Sequence, residues 1–261
     1  MNAPTQSAQL EVPPGLEHAQ LVEADSWRLW EVAVLDSTNA AAASLDAWNA
    51  VRADRQTAGR GRFQRQWVSD EGGLWLSAVV PTAPLGETTK LLPLLACVAV
   101  CRMSAQVGLS QLRLRWPNDV MIGDHKVAGT LIDQPRPEAA IMGVGVNVTN
   151  HPERIEPSLT NHVARFSDFL AQPPTPHQLA VRLLHEIRKV VEEVEQEGLA
   201  QAVKSINKLW GRVREVSLDL DGVTVNGRFL GVDDQGGLRL ETRSHKHIVY
   251  ESHLVRQLQE V

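Results

Sequence analysis

The sequence predicts a mixed α/β (α+β) fold followed by a small all-β module, on two observations. Between Trp27 and about Trp210, extended apolar runs are interleaved with stretches of helical composition. From Gly211 the helical pattern stops. Short alternating runs (VREVSLDL, VTVNGRFLGV, LRLET, HIVY) are then separated by Asp221-Gly222, Asn226-Gly227 and Gly236-Gly237, the spacing of a partly closed barrel. The 261 residues leave room for a main domain over 27–210 and a smaller one over 211–261, with residues 1–26 as a flexible arm.

That arm is polar, proline-bearing and without a period. Trp27 to Leu35 (WRLWEVAVL) is rich in aromatic and β-branched residues and predicts a strand. Asp36-Ser37-Thr38-Asn39 is a cluster of cap formers, and Ala40 to Trp48 has helical composition. Arg52 to Trp67 shows neither helical nor strand period and is expected to be a loop outside the core. Leu74 to Val80 predicts a strand, and Pro81 to Gly86 a loop. Thr88 or Thr89 is expected to cap an apolar helix through Val107, stopped by Gly108.

Leu112 to Trp116 predicts a strand interrupted by Pro117-Asn118-Asp119. Val120 to Ile122 and Lys126 to Ile132, around Gly123-Asp124, predict a hairpin that brings Lys126 near Asp119. Ala139 to Val148 predicts a buried strand with Gly143 and Gly145 inside it, and glycines in a strand usually mean that something approaches the backbone closely. Residues 151–174 are irregular. Thr175 and Pro176 start a helix that ends at Gly198, and a shorter helix follows over about Leu199 to Leu209.

A formal net charge of -5 and a pI near 6.0 speak against a general nucleic-acid binder. No apolar run is long enough to cross a bilayer, and the first residues lack the basic start and apolar core of a signal peptide, so a cytoplasmic location is expected. Cys97 and Cys101 lie on one side of the long apolar helix and are expected to be core residues.

The chemistry concentrates in one segment. Arg60, Arg62 and Arg65 lie among Gly59 and Gly61, with Gln56 before them and Trp67 after. Glycine permits close backbone approach, and guanidinium forks match carboxylate and phosphate oxygens, so the loop suits an anionic small molecule. GVGVN (Gly143 to Asn147) is not a dinucleotide fingerprint, lacking its third glycine, and no P-loop is present.

Four pieces together, DSTN (Asp36 to Asn39), QTAGRGR (Gln56 to Arg62) with Trp67, RWPND (Arg115 to Asp119) with KVAG (Lys126 to Gly129), and GVGVN, resemble the catalytic domain of the biotin protein ligases. The resemblance runs from about Trp27 to the C-terminus. It implies a mixed-sheet catalytic domain of the class II synthetase-like, biotin–lipoate ligase type, with a small C-terminal SH3-like barrel. It also implies a two-step reaction. Biotin and ATP give biotinyl-5′-AMP, and biotin then passes to a lysine of a carboxyl-carrier domain, with Mg²⁺ accompanying ATP.

On the same resemblance the catalytic residues are Lys126, Arg62, Arg60 and Asp119. Ser37, Thr38, Asn39 and Gln56 match positions around the ureido end of biotin, with Gly59, Arg60, Gly61, Arg62 and Lys126 about the rest of it. Gly129, Gly143 and Gly145 would let backbone lie against its ring. Trp67 would pack on adenine, and Arg62, Arg65, Arg115, Asn118, Asp119, Lys126 and Asn147 would complete the nucleotide site. Arg115 departs from the family's usual lysine, and Phe63-Gln64 replaces an often basic or glycine-bearing pair. The arm is too short for the helix-turn-helix of bifunctional members, so no DNA binding is expected. Nor is a membrane partner expected, and the protein should be a monomer or weak homodimer. The alternatives are a lipoate-type ligase, a non-catalytic biotin or nucleotide sensor, and an RNA binder using GRGRFQR.

Overall fold

The computed structural model describes residues 12–83, 89–211 and 214–261. An eight-stranded sheet has the order β1-β2-β3-β4-β8-β7-β6-β5. Its strands are β1 (Gln20–Ala24), β2 (Trp27–Leu35), β3 (Asn49–Gln56), β4 (Leu74–Pro81), β5 (Arg113–Arg115), β6 (Asp119–Ile122), β7 (His125–Arg136) and β8 (Ala139–Val146). Only β2 and β3 pair in parallel, joined through the short helix α1 (Thr38–Ala42). Helices α2 (Leu92–Gln106) and α4 (Pro176–Glu197) pack together on one face over Leu29, Leu76 and Val144. On the other face α1 and Leu16 cover Trp30, Val51, Val79 and Ile141. Both cysteines belong to α2 and are buried, and burial pushes the Cys101 thiol up to about 12.

The C-terminal residues form a second, five-stranded antiparallel sheet of order β12-β11-β10-β9-β13. It comprises β9 (Arg214–Leu220), β10 (Val223–Val232), β11 (Leu238–Thr242), β12 (His247–Tyr250) and β13 (Gln257–Glu260). Its apolar side, including Val216, Phe229 and Leu240, joins the same core as α2 and α4. Polar contacts tie it down as well. Arg113 of β5 holds Glu260 through two bonds of 2.6 Å, Arg214 adds one of 3.1 Å, and Trp116 Nε1 donates to the Gly236 carbonyl at 2.9 Å.

Several expectations need correction. Part of the predicted arm lies outside the described residues, but Gln20–Ala24 is strand β1, paired along β2, and Leu16 is fully buried. The helix expected through Trp48 ends at Ala42, and Trp48, at φ 67° just before β3, sets its ring edge-on to Trp27, 5.1 Å away. Thr88 lies outside the described residues. Thr89 does not cap α2: it opens a 3-10 turn, Thr89–Leu91, and Leu91 is the N-cap residue. The irregular stretch contains a short helix, α3 (Pro152–Ile155). By contrast Thr175 and Gln178 form a capping box on α4, and α5 (Leu199–Trp210) follows Gly198.

The largest correction concerns Arg52. It belongs to β3, at the centre of the sheet, and is only 8% exposed. Its charge is met by Glu31 at 2.9 Å across the parallel pair and by Asp54 at 2.6 Å. Removing one member of a pair this enclosed leaves the other uncompensated. Arg52→Ala is therefore expected to lower stability by about 3 kcal/mol in chemical denaturation, with Arg52→Met plus Glu31→Gln recovering most of the loss.

Candidate active site

The site lies on the α1 face of the large sheet, where register aligns small residues into two rows. One row runs Asp119, Gly129, Gly145, Trp75 and Ala53 across β6, β7, β8, β4 and β3. The next runs Leu131, Gly143, Ser77 and Val51. Val144 and Val146 point the other way, into the core. The alternation of GVGVN thus separates a floor without side chains from a packed underside.

A β-bulge brings Lys126 to this floor. Val120 pairs with Ala128 and Met121 with Lys126, so Val127 is the extra residue. Both Val127 and Ala128 are buried in the core, and Lys126 is turned to the face it would otherwise miss. Its backbone is fixed on the far side as well, where N–H donates to the His162 carbonyl and C=O accepts from Ala164.

Lys126 Nζ lies 2.5 Å from Asp119 Oδ1, and Arg115 donates to Asp119 Oδ2 at 2.7 Å. Burial alone would raise the Asp119 pKa, but the two cations outweigh it and hold the carboxyl below its ordinary value. Arg115, the residue that departs from the resemblance, thus keeps a cation against Asp119.

A chain of hydrogen bonds organises the α1 end. Gln56 Oε1 accepts from the Thr38 N–H at 2.8 Å and from its hydroxyl at 3.0 Å, while Gln56 Nε2 donates to Ser69 at 2.9 Å. Ser77 Oγ is 2.5 Å from Asn39 Oδ1 and 2.7 Å from Thr38 Oγ1. Asn39 Nδ2 donates to Asp133 at 2.8 Å, and Arg60 approaches the same carboxylate at 3.9 Å. Ser37 Oγ caps α1 weakly, 3.4 Å from the Ala40 nitrogen. A Cβ at Gly143 would fall 2.2 Å from Asn39 Oδ1, so only glycine leaves room for this network.

The arginine loop folds back as a tight hairpin. Gly59 C=O accepts from the Trp67 N–H, Arg60 bridges Gln66, and the Gly61 N–H donates to Arg65. Gly59 sits where a Cβ would come within 2.5 Å of Ser69 Oγ. The Trp67 ring lies directly on Gly129 and Gly145, whose Cβ atoms would be 3.0 and 2.6 Å from it. Lys126 Nζ is 4.9 Å from that ring's centroid. The resemblance set the glycines against biotin and the indole against adenine; here the indole covers two of those glycines itself. Its buried N–H has no hydrogen-bond partner among the described residues.

Every residue to which the resemblance gives a catalytic or binding role lines one cavity of about 610 Å³ except Gly59, which shapes the loop base beside it. Two of them are tied into the protein. Asn118 Nδ2 donates to the Thr130 carbonyl at 2.6 Å, and the Asn147 amide bonds Ala164 and Asn150.

The model of the biotin/lipoate A/B protein ligase family matches residues 32–147. The chain is 31% identical over 246 residues to the biotin–[acetyl-CoA-carboxylase] ligase of Mycobacterium tuberculosis, covering 88% of this chain and 90% of that one. To the bifunctional ligase/repressor BirA of Bacillus subtilis it is 32% identical over 235 residues, covering 84% and 71%. The chain belongs to the biotin protein ligase family. Among solved structures, it superposes on the biotin protein ligase from Aquifex aeolicus in complex with biotin and ATP with a TM-score of 0.78. Identity is 25%, over 89% of this chain and 99% of that chain. The mixed sheet and the small antiparallel sheet are the α/β part and the C-terminal SH3-like part of the biotin protein ligase fold.

Sequence reasoning missed several residues that support or line the site of this family member. Ser77, behind Thr38 and Asn39, had a signal as the lone hydroxyl in the apolar run LWLSAVV. Asp133, which holds Asn39, lies one residue past the predicted strand Lys126 to Ile132. Arg256 to Glu260, with Leu159, His162 and Val163, reach the cavity only through the fold, and no local pattern marked them.

Asp119 yields a pH prediction. An unfolded aspartate titrates near 3.9, and the folded value is lower, so its stabilisation is complete above the unfolded value and fades as pH falls through the folded one. The difference in unfolding free energy between the unmodified protein and Asp119→Asn is expected to stay flat above about pH 5 and to shrink below about pH 4.

Proposed function

We propose that this chain activates biotin with ATP to biotinyl-5′-AMP, releasing pyrophosphate. It then passes the biotinyl group to one lysine of the carrier domain of a biotin-dependent carboxylase, releasing AMP. The observation that carries this reading is the placement of Lys126: its ammonium lies beside a side-chain-free floor, held by Asp119, in a cavity lined by Arg60, Arg62, Arg65 and Arg115.

In the first step a biotin carboxylate oxygen bonds to the α-phosphorus as the bond to pyrophosphate breaks. Two anions must meet, and Lys126 with Arg60 and Arg62 supplies the opposing charge where it accumulates. Ser37, Thr38, Asn39 and Gln56 offer donors and acceptors at the closed end for a neutral ureido group. Arg65, Arg115, Asn118 and Asn147 border the nucleotide end, with Trp67 between the two.

In the second step the acceptor amine attacks the mixed-anhydride carbonyl and AMP departs with the phosphoryl oxygen. Asp119 is ionised at neutral pH with both oxygens engaged, so its part is to position charge, first Lys126 and then the incoming lysine.

Magnesium enters this reading only with the nucleotide. Among the described residues no group of three His, Cys, Asp or Glu side chains could hold an ion, and Asp119 is doubly ion-paired. The described side chains do not fit a resident metal.

A cytoplasmic monomer or weak homodimer belongs to the same reading. Residues 131–136 of β7 pair only with β8 among the described residues, an edge suited to a second strand. No operator binding is included, and the Mycobacterium tuberculosis relative matched over 90% of its length is named for ligation alone.

Lys126→Ala is expected to slow adenylate formation, followed as biotin-dependent pyrophosphate exchange, by roughly 100-fold or more. Failure of the unmodified protein to bind biotin in isothermal titration would sink the assignment, with lipoate as the next ligand. Ser77→Ala removes the hydroxyl shared by Thr38 and Asn39 and is expected to weaken biotin binding by roughly tenfold in the same titration.

A further inference from the structure

The tip of the arginine loop is bonded to the C-terminal sheet through Arg62 and stacked on it through Phe63, and neither the resemblance nor the adenylation reading assigns these contacts a role. Phe63 and Gln64 hold φ of 55° and 59°. Bulky residues rarely adopt this region, and persist there only where surrounding contacts impose it. Those contacts are present. The Phe63 ring lies between two guanidinium groups, Arg62 Cζ 4.7 Å and Arg256 Cζ 4.4 Å from its centroid. Arg62 in turn donates to the carbonyls of Ser252 and, at 3.2 Å, Val255. These carbonyls belong to the turn between β12 and β13. Burial pushes the Arg62 pKa down to about 10, which leaves it charged at neutral pH.

The seat of this clasp is firm. Arg256 immediately precedes β13, and Glu260 at the far end of β13 is held by Arg113 and Arg214. The base of the loop is closed separately, by Gly59–Trp67 and Arg60–Gln66. Its tip, which carries Arg62, is held by the Gly61–Arg65 and Arg65–Arg62 backbone bonds and by the contacts of Arg62 and Arg256 with the Phe63 ring. The ring therefore connects a cavity-lining arginine to a rigid strand of the other sheet, by contacts that involve no substrate atom.

We propose that Phe63 is a positioning residue that latches the arginine loop to the C-terminal sheet and thereby sets how long the reactive adenylate is retained. The latch is a property of the protein alone; the retention role rests on the proposed adenylation. A loop ordered in advance covers a bound acyl adenylate without first losing conformational entropy. An unlatched loop opens more often and lets the adenylate escape.

Arg60, Arg62 and Arg65 make the loop its own reporter for trypsin. In protein without added substrates, Phe63→Ala is expected to raise cleavage after these arginines by roughly tenfold, while Phe63→Tyr, which keeps the ring, stays at the original rate. Unchanged cleavage in Phe63→Ala would overturn the latch, whatever becomes of the adenylation reading. The second arm follows protein-bound adenylate made from biotin and α-labelled ATP. Its half-life is expected to fall by roughly tenfold in Phe63→Ala, with KM for biotin raised and both restored in Phe63→Tyr. Faster cleavage with an unaltered adenylate half-life would overturn the retention role and leave a purely structural clasp. If the unmodified protein forms no adenylate at all, the adenylation reading falls, and the proteolysis arm alone decides the latch.

Discussion

The cross-strand pairing of Gly129 with Gly145 is the constraint on which the rest of the site depends. It sets two residues without side chains next to one another on a sheet face that is elsewhere covered by Trp30, Val79 and Ile141. A shallow floor opens there, and Trp67, Asn39 and Lys126 reach over it from three separate elements. A shift of one residue in the register of β7 against β8 would send the glycines to the core side and valines to the cavity. The site would close and the core would lose packing together.

Electrostatics is layered on this floor in a graded way. Deepest is Asp119, flanked by Lys126 and Arg115, where two cations around one carboxylate leave excess positive charge directed at the cavity. Farther out, Arg62 is tied to backbone carbonyls of the C-terminal sheet, and Arg65 is exposed at the loop tip. An acidic protein therefore presents a local cationic surface where anions would meet. Overall charge spoke against a general nucleic-acid binder without bearing on this site, because cavity walls of low dielectric let near charges dominate distant ones.

The two sheets are energetically one body. The Arg113–Glu260–Arg214 cluster, the Trp116–Gly236 bond and the shared apolar core each cross between them. The C-terminal sheet thus does more than cap the larger one. Through Arg256 to Glu260 it lines the same cavity, and its turn after β12 accepts hydrogen bonds from Arg62 of the arginine loop.

Much of this was legible from residues alone. Period and turn chemistry located β2, β4, β8, α4 and the C-terminal strands, and nearly every site residue that the motifs selected lines the cavity. The failures share a cause. Arg52 seemed too polar for a central strand because its partner Glu31 is remote in sequence, and β1 looked disordered because its support comes from β2. Local composition determined which segments extend or coil and which residue types are available for chemistry. Tertiary structure alone decided the register that pairs the glycines, the bulge that turns Lys126 to the site, and the clasp around Phe63. Each of these is set by contacts between segments distant in the chain, whose energies no local pattern encodes.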